Sequence, residues 1–221
     1  MCCYFGGHLT IFTSLIRLFF PPLCRACGQF SEEILCQPCC TDLQPRLNSL
    51  RQLKEVDLGW TLYQYRDKPK KLLEALKFDS VAKLGDAWGS LLNHIEIPFS
   101  QVDYWVAVPI HQKRLKIRGF NQVEKVFSSL AEKEGAAIST ILRRVVNTKP
   151  LFELSLAERR ETLAGAFELE GGPSLTGKTV LLLDDIVTTG TTLSLIAGIM
   201  KSAGAAQVWA LVLTDAELSL S

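Results

Sequence analysis

The sequence lacks an excess of charge of either sign. Its 24 lysine and arginine residues nearly balance 23 aspartate and glutamate residues, which leaves a formal net charge of +1 over 221 residues. This balance gives no global attraction to nucleic acid or to an acidic membrane, so binding of that kind requires a local patch of charge. Hydrophobic residues make up 48% of the chain, so we expect a folded core and not a disordered polymer.

The chain also lacks a hydrophobic run long enough to cross a bilayer. The apolar stretch of residues 9–23 contains Arg17 and is shorter than the ~20 residues that a transmembrane helix needs. Because it has neither a basic leader nor a small-residue cleavage site, we expect no export signal and no stable membrane insertion. Apolar residues recur in it at helical spacing, at Ile11, Phe12, Leu15, Ile16 and Phe19. This spacing predicts a helix that packs on the neighbouring domain, with an interfacial membrane helix as the alternative.

Four of the seven cysteines stand at metal-ligand spacing. Cys24, Cys27, Cys36 and Cys39 form two C-x-x-C pairs, each of which can present two thiolates to one tetrahedral ion. In a chain with no expected export signal, this spacing predicts zinc over disulfides and a location in the reducing cytoplasm. Four sulfurs leave no open position for water, so we expect a structural ion whose binding folds the segment.

Two alternatives remain for these cysteines. They could be free buried thiols, or Cys40 could replace one of the four as a ligand. Cys2 and Cys3 have no predicted role. We predict a boundary after this segment, which divides the chain into an N-terminal helix and metal module over residues 1–45 and a larger domain over residues 46–221.

The stretch of residues 180–192 reads V-L-L-L-D-D-I-V-T-T-G-T-T. Its four apolar residues are typical of a strand buried on both faces, and we expect that strand to end at Asp184 and Asp185. A small hydroxyl-rich loop then opens an apolar helix pattern; it consists of Thr188, Thr189, Gly190, Thr191 and Thr192. Free backbone N–H groups and the positive end of the helix dipole bind phosphate at such a place, and Gly190 lets the backbone approach closely.

An acidic pair followed by an anion-binding loop suits a ligand that carries both a diol and a phosphate. A ribose 5-phosphate carries both groups. The alternative is a buried strand that ends in two solvated aspartates, followed by an ordinary helix N-cap.

A P-loop pattern overlaps this stretch, because residues 172–179 read G-P-S-L-T-G-K-T. A P-loop follows a strand and opens a helix, whereas Lys178 precedes the apolar run of the predicted strand. We therefore interpret this segment as a turn that leads into the strand.

The densest basic patch follows a second predicted strand. Residues 103–109 are typical of a central parallel strand, and H-Q-K-R-L-K-I-R-G-F-N-Q comes directly after it. The cations of this patch are Lys113, Arg114, Lys116 and Arg118. They could neutralise a pyrophosphate or a nucleic-acid backbone, and their place at the carboxyl end of a strand favours binding over a solvated helix face. We expect His111 to be an ordinary surface histidine.

Strands and helices alternate along the rest of the chain, which predicts an α/β fold with a parallel sheet and right-handed crossovers. Further strands are predicted over residues 56–65, 138–146 and 207–213, the second of these carrying Arg143 and Arg144 at its end. Further helices are predicted from Asp67 and over residues 81–95 and 120–134. Residues 41–57 are predicted as a polar helical connector, and residues 149–160, with a capping box of Ser155 and Glu158, as a mobile lid.

Residues 180–192 closely resemble the 5-phosphoribosyl-1-pyrophosphate (PRPP) signature of type I phosphoribosyltransferases. The cysteine pairs are followed in order by V-P-I-H-Q-K-R-L-K-I-R-G-F-N-Q, L-S-L-A-E-R-R-E-T-L-A-G-A-F and this signature. That order resembles the ComF/GntX family of phosphoribosyltransferase-like proteins over nearly the entire chain. The resemblance implies the Rossmann-like parallel sheet of type I phosphoribosyltransferases, joined to a small zinc-ribbon-like module.

The resemblance also implies roles for the candidate site residues. Asp184 and Asp185 would be the catalytic pair that holds the ribose 2- and 3-hydroxyls, the loop of residues 188–192 would hold the 5-phosphate, and Mg²⁺ would accompany PRPP. Many family members are linked to competence and the inward transport of transforming DNA. Purine-salvage relatives carry an Asp where this chain has Thr188, so purine salvage is not expected. Leu151 and Thr162 replace a Gln and an Asn that the family often has, which affects the interactions of the lid.

The expected function is that of a PRPP-binding phosphoribosyltransferase, a glycosyltransferase acting on PRPP, linked to competence and DNA uptake or to nucleotide metabolism. One alternative is a PRPP or nucleotide sensor without turnover. Another is a single-stranded DNA-binding adaptor that uses the basic patch, Arg143, Arg144 and the zinc module, with partners from the competence machinery such as a helicase. Phe120 is the only aromatic residue inside the basic patch, which disfavours a surface for base stacking.

Overall fold

The computed structural model describes residues 21–78, 81–99, 101–146, 165–171 and 174–216. Its strands are β1 (Asn48–Ser49), β2 (Leu58–Gln64), β3 (Tyr104–Ala107), β4 (Ile138–Ser139), β5 (Leu142–Arg144), β6 (Phe167–Leu169), β7 (Thr179–Val187) and β8 (Gln207–Asp215). Its helices are α1 (Gln37–Asp42), α2 (Asp67–Phe78), α3 (Ala82–Leu92), α4 (Gln112–Arg118), α5 (Gln122–Lys133) and α6 (Thr191–Ser202). No helix in these ranges is both long enough and apolar enough to span a bilayer.

The main sheet has the strand order β1-β2-β8-β7-β3-β4. Every neighbouring pair in it is parallel except β1 and β2, which are antiparallel. The central strand β7 lies between β3 and β8, and its residues Val180, Leu181, Leu182 and Leu183 are fully buried, as the continuous apolar run predicts. The carboxyl ends of β2, β3, β7 and β8 therefore meet along one edge of the sheet.

The core lies on both faces of the main sheet. Side chains of a strand point alternately to opposite faces, and Leu181 and Leu183 belong to a core cluster with the leucines of α2, α3 and α5. Val180 and Leu182 belong to the other cluster, with the buried residues of α6. The same alternation directs the next two side chains of β7, Asp184 and Asp185, to opposite faces.

The prediction that the central strand ends at Asp184 and Asp185 is wrong. β7 does not stop at the two aspartates; its pairing with β8 continues from Asp184, opposite Val212, to Val187, opposite Asp215. Buried carboxylates are tolerated in a strand when they have hydrogen-bond or charge partners, and both aspartates have them.

Two other predicted elements differ from the structure. Residues 138–146 do not form one strand, because β4 pairs with β3 in the main sheet while β5 leaves the sheet and forms an antiparallel hairpin with β6, a strand that the sequence pattern does not indicate. Residues 41–57 are not helical beyond α1, since the chain becomes extended and pairs as β1 with β2. Leu43, Leu50 and Leu53 are buried in this connector, so tertiary packing overrides its polar helical pattern.

The remaining element predictions are confirmed within the described residues, namely the strands at β2, β3 and β8 and the helices α2, α3, α5 and α6. Lys178 is followed by β7 and not by a helix, and its Nζ atom lies 2.9 Å from Asp103 Oδ1, which confirms a turn and not a P-loop. The apolar stripe of residues 11–19, the cysteines Cys2 and Cys3, and the lid of residues 149–160 lie outside the described residues.

The cysteine segment packs against the larger domain. Cys24, Leu35 and Cys39 belong to the same core cluster as the leucines of α2. Lys71 of α2 donates a hydrogen bond to the backbone carbonyl of Ala26 at 3.2 Å. The segment therefore shares the core of the sheet domain instead of having a core of its own.

Candidate functional site

Asp184 and the threonine loop line one cavity at the carboxyl end of β7. Its lining residues are Asp184, Ile186, Val187, Thr188, Thr189, Gly190, Thr191, Thr192 and Leu193. We call this the loop cavity. Helix α6 begins at Thr191, directly after Gly190, so the free N–H groups of its first turn lie at this cavity. The sequence-predicted phosphate loop and the first carboxylate are thus adjacent in space.

Position 190 requires a glycine because of its backbone conformation and because a neighbouring side chain lies close to it. Its φ of 74° lies in the left-handed region, which L side chains rarely adopt. A Cβ atom at this position would also collide with the side chain of Leu53. The loop therefore has a glycine where the backbone turns into α6 and where the connector packs closely over it.

Arg51, in the connector of residues 41–57, stabilises the same loop. Its guanidinium donates a hydrogen bond to the backbone carbonyl of Thr188 and forms an ion pair with Asp215 at 3.2 Å. No sequence pattern indicates this role, because Arg51 lies in the predicted helical connector and is far from the loop along the chain. Threonine hydroxyls add a further interaction, with Thr189 Oγ1 2.9 Å from Thr191 Oγ1.

Asp185 does not line the loop cavity. One of its carboxylate oxygens accepts a hydrogen bond from Lys77 Nζ at 3.0 Å, and the other accepts one from Gln122 Nε2 at 2.6 Å. Its backbone carbonyl accepts a third from Thr214 Oγ1 at 2.8 Å. Asp185 is therefore held between α2 and α5, on the opposite face of β7 from the helix that follows the loop.

Asp184 is in a different electrostatic environment. Burial, followed by the neighbouring charge of Asp185, raises the pKa of Asp184 well above the usual carboxyl range. The backbone N–H of Asp185, which donates to Asp184 Oδ1 at 2.8 Å, and the charges of Lys77 and Arg144 oppose this rise in pKa. Hydroxyl donors or a cation brought by a ligand would stabilise the ionised form of Asp184.

The predicted basic patch divides into two sets of residues. Its four cations lie on the short helix α4, where the imidazole Nδ1 of His111 caps the helix by accepting the N–H of Lys113 at 3.1 Å. Arg114 and Arg118, one helical turn apart, are half-buried, whereas Lys113 and Lys116 are exposed. Arg118 donates a hydrogen bond to the side-chain oxygen of Gln122. We call Arg114 and Arg118 the inner pair and Lys113 and Lys116 the outer pair.

The inner pair is electrostatically linked to the acidic residues. Burial lowers the pKa of Arg118, while the charge of Asp185 raises it and that of Arg114 lowers it. Burial likewise lowers the pKa of Arg144, with Arg114 adding to the decrease and Asp184 opposing it. Arg114, Arg118 and Arg144 thus form a half-buried positive region beside Asp184 and Asp185.

Arg143 belongs to another part of the surface. Its guanidinium lies 3.4 Å from Glu170 and 3.8 Å from Glu168, across the hairpin of β5 and β6. The structure therefore separates Arg143 from Arg144, although the two are adjacent in the chain and were expected to act together. Phe120 packs against the main core cluster.

The four predicted cysteine ligands converge. Their sulfur atoms all lie within 4.8 Å of one another, and the Sγ atoms of Cys27 and Cys36 are 3.7 Å apart. Zinc bound to sulfur at about 2.3 Å in a tetrahedron requires an S–S separation of about 3.8 Å, so this spacing fits such an ion. The backbone N–H of Cys36 also points to Cys24 Sγ at 3.3 Å, which stabilises a thiolate.

Cys40 is not part of this cluster. It is buried, and its thiol lies 3.8 Å from the backbone carbonyl of Leu35. The five described cysteines form no disulfide with one another. Burial raises the pKa of Cys39, and the neighbouring cysteines add to the rise, so a bound cation would stabilise the thiolate of Cys39.

Comparison with known proteins gives one family match and several named relatives. Residues 123–218 match the phosphoribosyl transferase domain family. The chain is 38% identical over 115 residues to DNA utilization protein YhgH of Salmonella typhi, covering 51% of this chain and 50% of that protein. It is 30% identical over 167 residues to the protein of the same name from Escherichia coli O157:H7, covering 70% and 71% of the two chains.

A third relative is competence protein F of Haemophilus influenzae, 32% identical over 110 residues, with 48% of each chain covered. The chain thus spans about half the length of the Salmonella and Haemophilus relatives and more than two thirds of the Escherichia coli protein. The family match over residues 123–218 includes Asp184, Asp185 and the loop of residues 188–192.

Proposed function

Since the chain belongs to the ComF/GntX family of phosphoribosyltransferase-like proteins, we propose that it binds PRPP at the carboxyl end of β7 and transfers its phosphoribosyl group. One observation supports this most directly. Asp184 and the loop of residues 188–192 line the same cavity, at the place where α6 begins after a left-handed glycine.

We propose that each part of PRPP has its own set of protein groups. The N–H groups and hydroxyls of residues 188–192 bind the 5-phosphate, and the carboxylates of Asp184 and Asp185 accept hydrogen bonds from the ribose hydroxyls. The inner pair, Arg114 and Arg118, neutralises the pyrophosphate group, with Lys113 and Lys116 at its outer edge.

In the transfer step, the bond between ribose C1 and the pyrophosphate oxygen breaks, and its electron pair goes to that oxygen. A nucleophilic atom of the acceptor bonds to C1, and the proton of that atom passes to the departing pyrophosphate. Negative charge builds up on the departing pyrophosphate, and fixed guanidinium groups stabilise that charge. Mg²⁺ fits this site as a companion of PRPP, because a carboxylate and substrate phosphates supply the oxygen ligands it prefers. It would neutralise phosphate charge when bound.

Zinc is the ion that we propose for the cluster of Cys24, Cys27, Cys36 and Cys39, in a structural role. We also propose that residues 1–45 form the zinc module and residues 46–221 the phosphoribosyltransferase-like domain. Because cysteine thiols stay reduced in the cytoplasm, we propose this compartment for the protein.

The acceptor is identified by a screen of free bases with PRPP and Mg²⁺, following release of pyrophosphate. Turnover with one base supports the transferase. PRPP binding without pyrophosphate release for any base would instead support a sensor of PRPP.

Binding of single-stranded DNA is a second candidate function. It is favoured by the exposure of the outer pair, Lys113 and Lys116, and by the names of the relatives, which refer to DNA utilization and competence. Partners from a competence machinery, such as a helicase, would then act on the same DNA. Because Phe120 packs against the core, we expect binding to phosphates and little base stacking in this patch.

A further inference from the structure

Gln122 joins a cation to a carboxylate inside the candidate site. Its side-chain oxygen accepts a hydrogen bond from Arg118, and its Nε2 donates one to Asp185 Oδ2 at 2.6 Å. Gln122 is 6% exposed, so water does not replace these partners. A guanidinium can only donate and a carboxylate can only accept, so the amide has a single orientation that satisfies both neighbours.

The position of this amide is fixed by the preceding residues of the R-G-F-N-Q segment. Gly119, with a φ of 83°, ends α4 in the left-handed conformation and turns the chain. Asn121 caps α5 by accepting the N–H of Val123 at 3.0 Å, and its Nδ2 donates to the carbonyl of Val108 at 3.2 Å, at the end of β3. Gln122, the first residue of α5, is thereby held at the carboxyl edge of the sheet.

The second partner of Asp185 holds the carboxylate from the other side. Lys77, near the end of α2, lies 3.0 Å from Asp185 Oδ1, and both side chains are largely buried. With both oxygens occupied, the carboxylate cannot rotate without breaking a hydrogen bond to a charged or buried group. Its orientation therefore depends on Gln122 and Lys77 together.

We propose that Gln122 is a positioning residue that couples recognition of the ribose diol to recognition of pyrophosphate. This inference rests on the proposed function, in which Asp185 binds the diol and Arg118 the pyrophosphate. Because one amide sets the positions of both groups, a ligand that carries both parts gains from their fixed separation, as preorganisation requires. The favoured ligand class is a ribose 5-phosphate with a pyrophosphate at C1, over either part alone.

The test compares the wild type with Gln122→Met, which keeps the length of the side chain and removes both hydrogen bonds. Asn93→Leu is the matched control. Asn93 ends α3, and its Nδ2 donates to Ser129 Oγ of α5 at 2.7 Å, so this variant also removes an amide hydrogen bond to α5. Calorimetry with PRPP and Mg²⁺ should show binding at least tenfold weaker in Gln122→Met, which corresponds to about 1.4 kcal/mol. Asn93→Leu should bind PRPP as the wild type does.

A double-mutant cycle distinguishes coupling from a general loss of structure. Arg118→Met is made in the wild type and in Gln122→Met, and the loss of PRPP affinity that it causes is compared between the two. We expect a smaller loss in the Gln122→Met background, since Arg118 is already displaced there. The same loss in both backgrounds would overturn the inference and leave PRPP binding intact.

Gln122→Glu serves if Gln122→Met does not fold. It keeps the shape and the acceptor for Arg118, but it places a carboxylate against Asp185. Affinity for ribose 5-phosphate should fall more than affinity for pyrophosphate, and wild-type affinity for both would contradict the inference. If the wild type itself binds no PRPP, the proposed function fails and the inference fails with it.

Discussion

Asp184 and Asp185 are adjacent in the chain, yet only Asp184 lines the loop cavity, while Asp185 is held by Lys77 and Gln122 on the other face of β7. The two carboxylates therefore differ in their effect on stability before any ligand binds. Asp184 is buried with few compensating charges, whereas Asp185 has a cation and an amide as direct partners.

Replacing each aspartate by asparagine should change stability in opposite directions. Asp184→Asn removes a buried carboxylate and keeps an oxygen for the N–H of Asp185, so we expect the free energy of unfolding to rise by about 1 kcal/mol, or about 2–4 °C in Tm for a chain of this size. Asp185→Asn leaves Lys77 without its carboxylate and should lower the free energy of unfolding by about 1–3 kcal/mol. Thermal unfolding of both variants measures this, and equal shifts in Tm would contradict it.

The stabilisation by Asp184→Asn should depend on pH. Burial raises the pKa of Asp184 in the folded state above its unfolded value of about 3.9, so the folded protein binds this proton more tightly. Below the unfolded pKa, Asp184 is protonated in both states and does not lower the free energy of unfolding. Its ionisation lowers that free energy increasingly as the pH rises toward the folded pKa, and by a constant amount above it. The Tm difference between Asp184→Asn and the wild type should therefore increase from acidic to mildly alkaline pH. A difference that is largest in acid would contradict this sign.

Gly190→Ala should cost more stability than the same change at another left-handed glycine. Both Gly190 and Gly135 have positive φ, but a Cβ at Gly135 meets nothing within 4 Å, whereas one at Gly190 collides with Leu53. We expect a cost of about 1 kcal/mol for φ alone at Gly135 and a larger one at Gly190. Urea unfolding of the two variants compares them. Equal midpoints would show that Leu53 does not restrict the loop.

The wild type should contain one zinc ion per chain, and a variant that lacks two of the cysteine ligands should not retain it. Cys24→Ser combined with Cys36→Ser removes one sulfur from each C-x-x-C pair, so elemental analysis should find little zinc and the Tm should fall. Cys40→Ser is the matched control, because Cys40 is buried beside the cluster but outside it, and it should keep the zinc. A metal-free wild type that is fully folded would contradict the assignment.

The inner and outer pairs of cations should bind different ligands. Lys113→Ala with Lys116→Ala should reduce the salt dependence of single-stranded DNA binding, by a slope of roughly 0.7 for each phosphate that is no longer neutralised. Arg114→Ala with Arg118→Ala should instead weaken pyrophosphate binding, because both side chains are half-buried and Arg118 lies close enough to Asp185 to interact with its charge. Fluorescence anisotropy with labelled DNA over a range of salt and calorimetry with pyrophosphate measure the two effects. An unaltered salt slope in the lysine variant would place any DNA surface elsewhere.

Local patterns predict the parts of the site that are contiguous in the chain. The apolar run before Asp184, the hydroxyl loop around Gly190, and the buried face of α6 at Leu193 and Met200 all follow from short-range periodicity and helix-end chemistry. The cysteine pairs are equally visible, because both lie within one short segment.

Interactions between distant segments cannot be predicted in this way. Lys77 and Gln122 are 108 and 63 residues from Asp185, and Arg51 is 137 residues from Thr188. The prediction for the length of β7 is wrong for the same reason. From the local sequence, two adjacent carboxylates indicate the end of a strand, because the residues that make their burial possible are distant in the chain.

Calorimetric titration of PRPP with Mg²⁺ into the wild type and into Asp184→Asn plus Asp185→Asn tests the central claim most directly. Ribose 5-phosphate and ATP are titrated in parallel, and circular dichroism checks that the variant is folded. PRPP should bind the wild type, and the double variant should bind it at least tenfold more weakly, since hydrogen bonds to a charged acceptor contribute roughly 1.5–3 kcal/mol each. Equal PRPP affinity in the two proteins, or tight ATP binding that Lys178→Ala abolishes, would show that the site has been assigned to the wrong residues.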